Sequence, residues 1–88
     1  MNRTVKLLVV WIMWTRTWVA TAEPLWEPQD TFPTKENCVS AVVQTIDRII
    51  NASPDFKRVN DISYEQPNNV LVNGLCFPDT FDPREKRQ

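Results

Sequence analysis

The chain carries two cysteines, Cys38 and Cys76, and no others. In an oxidising compartment they leave one intramolecular pairing open, so the connectivity of a disulfide needs no choice between frameworks. A bridge to a second chain and a pair of free thiols are the competing states. An intramolecular bridge over so long a span removes chain entropy from the unfolded state and stabilises by about 4 kcal/mol. That is of the same order as the net stability of a small domain, which buries too little apolar surface to be secure without a staple. With an intramolecular bridge, whatever this chain folds into must bring Cys38 against Cys76.

The beginning of the sequence bears on the compartment. Arg3 and Lys6 precede an apolar run from Leu7 to Trp14, and the segment closes on Ala20-Thr21-Ala22. Basic residues, an apolar stretch and a small-x-small ending form the pattern of a secretory leader. Arg16 and several threonines interrupt the run well short of the roughly 20 apolar residues that a membrane-spanning helix needs, so no membrane anchor is expected. Residues 1–22 are accordingly expected to be removed as a signal peptide, and Trp11, Trp14 and Trp18 with them. All eleven acidic residues lie beyond Ala22. The remainder is thus net acidic, which argues against nucleic acid as a partner, because phosphate binding needs clustered Lys and Arg.

Residues 23–33, "EPLWEPQDTFP", hold three prolines and no apolar period, and read as an extended arm. Trp26 within it either folds back onto the domain or meets a partner. A helix follows, with Thr34 as N-cap and Glu36 in its first turn, where a negative charge suits the helix dipole. Val39, Val42, Val43, Ile46, Ile49 and Ile50 recur at the spacing of one helix face, flanked by Cys38 and Ala41. Pro54 places the end of the helix near Ala52. Asn51-Ala52-Ser53 is also an N-glycosylation sequon, followed immediately by Pro54, and makes Asn51 a candidate glycan site.

Phe56, Val59 and Ile62 fit one face of a short helix, and the same stretch fits a strand that includes Ile62 and Tyr64. Pro67, Asn68 and Asn69 break the pattern. In "VLVNGLCF" two apolar triplets then surround Asn73-Gly74, a pair suited to a two-residue type I′ turn. That register would pair Val72 with Leu75, Leu71 with Cys76 and Val70 with Phe77, and the bridge would staple this hairpin to the start of the helix. The expected fold is a small α+β domain over residues 34–81, one amphipathic helix packed on a short antiparallel hairpin or sheet, with one disulfide and a charged tail at 82–88.

The helix ending in "NAS", with the hairpin glycine following, resembles the first half of a cystatin or cathelin domain over about residues 38–77. Cystatin-type inhibitors use a Gln-x-Val-x-Gly hairpin to wedge into papain-like cysteine proteases. Val70-Leu71-Val72-Asn73-Gly74 stands at the matching place, with Val72 and Gly74 agreeing and Val70 replacing the glutamine. The resemblance implies an inhibitory binding hairpin made of Val70, Val72, Asn73 and Gly74.

Catalysis finds little support in these residues. The chain has no histidine to serve a nucleophile as base, and one glycine, Gly74, cannot make a phosphate-cradling loop. Without histidine the cysteines do not form a metal-binding pattern either, and no cofactor is expected. The expected activity is extracellular protein binding, as an inhibitor or effector, through the hairpin and Trp26. The alternative is a secreted precursor processed at Arg84-Glu85-Lys86-Arg87, where Arg84, Lys86 and Arg87 form the basic signal. Only Gln88 follows that signal, and a solvated charged end accounts for the same residues.

Overall fold

The computed structural model describes residues 9–19 and 22–85. Six elements follow one another: β1 (Trp11–Trp18), β2 (Leu25–Phe32), α1 (Lys35–Ala52), β3 (Lys57–Asn60), β4 (Ser63–Gln66) and β5 (Val70–Pro78). The strands form one antiparallel sheet in the order β2-β1-β5-β4-β3, and α1 lies across one of its faces. This is the small α+β architecture expected from the sequence, with a wider sheet.

The helix forms where its residues predict. Thr34 caps it by accepting a hydrogen bond from the Asn37 backbone N–H at 3.0 Å, and Ser53 closes it. Its buried line is Cys38, Val42 and Ile46, with Ile49 and Ile50 packed at the margin, while Val39 stays exposed. Cys38, expected to flank the stripe, is instead its most buried member. The Cys38–Cys76 disulfide, with Cα atoms 6.1 Å apart, draws that edge of the helix onto β5 and leaves Val39 at the rim. Met13, Tyr64 and Val72 complete the buried cluster from the sheet side.

One open reading of the sequence is resolved and another changes. The stretch from Phe56 to Tyr64 resolves as strand: β3 and β4 make a hairpin around Asp61-Ile62, Val59 is exposed, and the Tyr64 ring stacks on Phe56 with centroids 5.6 Å apart. The hairpin expected at Asn73-Gly74 is not formed. Val70 to Pro78 is one continuous strand, pairing with β4 through Val70–Asn73 and with β1 through Leu71–Pro78. The turn sits upstream, between β4 and β5, where Asn68 and Asn69 take left-handed backbone angles of φ 70° and 62°. Gly74 has no positive φ; it is a glycine because α1 passes directly over it, and a Cβ there would meet Val42 Cγ1 at 2.6 Å.

The stretch expected to act as a leader contributes the second strand of the sheet. Within 1–22, residues 11–18 form β1, which joins β2 to β5 and buries Met13 and Trp14. Residues 1–8 and the Ala20-Thr21 pair of the small-residue motif lie outside the described residues. The arm at 23–33 is extended, as its prolines predict, and becomes edge strand β2; the register shifts between Met13 and Trp14, opposite Asp30 and Pro28, and leaves Gln29 as the extra residue of a bulge.

Candidate binding face

Strand alternation sends Met13, Thr15, Val72, Gly74 and Cys76 toward α1 and Ile12, Trp14, Arg16, Trp18, Leu71, Asn73, Leu75 and Phe77 to the opposite face. No helix covers that second face among the described residues. Its side chains align in rows across the strands. Pro28, Trp14 and Leu75 form one row, and Trp18, Leu71, Glu65 and Lys57 another. Between them runs a row through all five strands: Trp26, Arg16, Asn73, Ser63 and Asn60.

Arg16 is the centre of the middle row. Its Nε and Nη2 both donate to Asn73 Oδ1, at 3.1 and 2.9 Å. Asn73 in turn donates from Nδ2 to Ser63 Oγ at 2.5 Å, and both of these partners are buried. The guanidinium carbon lies 5.2 Å from the Trp18 ring centroid and 5.4 Å from that of Trp26, within cation–π range of each. No carboxylate stands within ion-pair distance of Arg16 among the described residues, whereas Arg58 pairs with Asp47 and Arg84 with Asp82.

Aromatic rings extend the face toward the end of the chain. Trp14 meets Trp26 edge-on at 6.5 Å, Trp26 packs on Phe77 at 6.2 Å, and Phe77 on Phe81 at 4.8 Å. The segment after β5 folds back as a strap: Arg84 lies over the Trp14 ring at 5.1 Å and is held by Asp82 through Nε and Nη2. The hydrogen bonds from Arg84 keep the Asp82 carboxyl below the usual carboxylate range, and Asp82 raises the arginine in return. Beneath these contacts Trp14 is 3% exposed, and its indole Nε1–H has no acceptor. A cleft of about 400 Å³ opens between the strap and the start of β2, lined by Glu23, Pro24, Leu25, Trp26, Pro83, Arg84 and Glu85.

The residues singled out from the sequence are distributed differently from the expectation. Cys38 and Cys76 are bonded. Val70, Val72, Asn73 and Gly74 lie inside β5 on alternating faces, so they present no hairpin tip; of the four, Asn73 belongs to the open face. Trp26 folds back and becomes part of the aromatic cluster. Asn51 is exposed in the last turn of α1. Arg84 is engaged with Asp82 and Trp14, where a solvated tail was expected; Lys86 and Arg87 lie outside the described residues. Among the described residues no cluster of metal-ligating side chains occurs, and no helix is long and apolar enough to cross a membrane.

Trp14, Arg16 and Trp18 were passed over because they stand in the leader-like segment. The signal was present in "WIMWTRTW": Trp14, Arg16 and Trp18 occupy alternate positions, a period of two that suits a strand and not the apolar helix of a leader. No family model matches the chain, and neither the curated proteins nor the solved structures compared with it give a match.

Proposed function

We propose that the protein is a small exported, non-catalytic domain that binds another polypeptide through the open face of its sheet. The observation that carries this reading is the Arg16 guanidinium set between the Trp18 and Trp26 rings on a face that no helix covers among the described residues. Tryptophan and arginine are the side chains that most often dominate binding energy at protein interfaces, especially when neighbours shield them from water. Trp18 and Phe81 are exposed beside this cluster, and exposed apolar area of this kind on a small protein marks an interaction surface. The strands hold the rings in place before binding, which lowers the entropy lost on association.

Export is supported by the disulfide, since such bonds persist in oxidising compartments. In such a compartment the exposed Asn51 sequon would be open to glycosylation. A non-catalytic role is supported by the absence of histidine from the sequence.

The reading is tested by selecting a random displayed peptide library on the oxidised chain and measuring the selected peptides against Trp18→Ala. Trp18 lies at the end of β1 and is 45% exposed, so its truncation leaves the core intact. Peptides that bind the native chain and weaken about tenfold or more on Trp18→Ala support the reading, that loss being ordinary for an interface anchor. A selection that yields no binders, or binders indifferent to Trp18→Ala, overturns it.

A further inference from the structure

We infer that the occupant of the open face is an acidic peptide, one carboxylate of which is received by Arg16; this rests on the binding reading above. The chain has eleven acidic residues, yet none lies within ion-pair distance of Arg16 among those described. The guanidinium is met by a neutral amide oxygen and by the faces of two rings, none of which carries a formal negative charge. A carboxylate arriving at the face makes a charge-assisted hydrogen bond, the stronger kind, beside rings that keep water away.

The donor geometry is already set. Because Nε and Nη2 converge on Asn73 Oδ1, the remaining Nη1 edge is fixed in direction, and Asn73 cannot turn away without breaking its own bond to the buried Ser63. Trp14, two residues along the same strand and roughly 7 Å away, is buried beneath Arg84, so the donors that a ligand on this face can reach are those of Arg16. The free Nη1 edge calls for a ligand that supplies an acceptor.

The surrounding charge narrows the class. Glu65 stands in the adjacent row, and Glu23 and Glu85 line the cleft beside Trp26. A polyanion laid across the face would meet these carboxylates, so a nucleic acid fits poorly. A peptide with a single Asp or Glu over Arg16 and an apolar side chain against Trp18 fits well.

The test uses the peptides selected on the oxidised chain, each synthesised with blocked ends and again with every Asp or Glu changed to its amide. On the native chain one acid-to-amide exchange is expected to weaken binding about tenfold or more, as loss of a charged hydrogen bond does. On Arg16→Met the same exchange is expected to change little. Asn73→Asp is the second variant: it neutralises Arg16 from within while keeping the arginine, and it too is expected to remove the preference for acid over amide. Circular dichroism melts establish which variants fold, and either folded variant suffices. Selected peptides without acids, or an exchange that costs the same on native and variant chains, overturn the inference and leave the binding reading standing. Absence of any selected peptide overturns both. A mixed-sequence single-stranded DNA that binds more tightly than the peptides overturns the acidic-peptide assignment in favour of a nucleic acid.

Discussion

At Gly74 the space left by the missing side chain is already occupied. The nearest atom to a Cβ built there is Val42 Cγ1 at 2.6 Å, and Val42 is buried in the middle of α1 with little room to yield. Gly74→Ala must push the helix from β5 or force Val42 out of its rotamer, and overpacking of this kind costs about 1–3 kcal/mol. Denaturant unfolding of the oxidised protein is expected to show that loss, and a midpoint equal to the native one would mean that α1 is not seated on Gly74. The same residue explains a misreading. Asn-Gly is a strong sign of a tight turn when only neighbours in sequence are considered, but a lone glycine has a second use, the close passage of another element, and the approach of Val42 to Gly74 across the fold is invisible along the chain. Asn73 shows the complementary limit: its type suggested a turn, while its role as acceptor for Arg16 depends on a strand expected to be absent.

At the scale of elements, α1 was legible because periodicity, capping residue and terminating proline agreed. The edge strand β2 was legible as an extended segment but not as part of a sheet, since its partner β1 had been set aside. The strap that follows β5 was not legible at all, because nothing local in "DPRE" indicates that Arg84 will find Trp14. Its hold is electrostatic and open to titration. The hydrogen bonds from Arg84 lower the Asp82 pKa in the folded state, so the pair contributes fully above the unfolded value of about 3.9 and its contribution is lost as pH falls through the lowered value. Carbon-detected NMR of the Asp82 carboxyl is expected to show a midpoint below that of an ordinary aspartate, and Arg84→Ala is expected to return it to the ordinary value. An Asp82 that titrates normally in the native chain would remove the strap's latch.

For the whole molecule the decisive question is whether the mature chain retains residues 11–18. β1 lies between β2 and β5 in the sheet, paired with both, so a chain beginning at Glu23 would lose the contact that holds β2 and would expose the long edge of β5. It would also lack Trp14, Arg16 and Trp18, and with them the centre of the open face. The disulfide would survive, since Cys38 and Cys76 lie beyond the cut, and its stabilisation of about 4 kcal/mol acts on the loop from α1 to β5, not on the contacts of β1 and β2. The leader-like pattern and the sheet therefore make opposite demands on the same stretch: the first asks for a cut after Ala22, the second for continuity through Trp11–Trp18. Intact mass of the protein recovered from cells and from the medium, before and after reduction, distinguishes them. The expected product retains residues 11–18 and gains the mass of two hydrogens on reduction of the single bridge. A product that begins at Glu23 would show that the exported form is not the five-stranded domain, and the binding face would have to be sought on α1 and the β3–β5 sheet that remains.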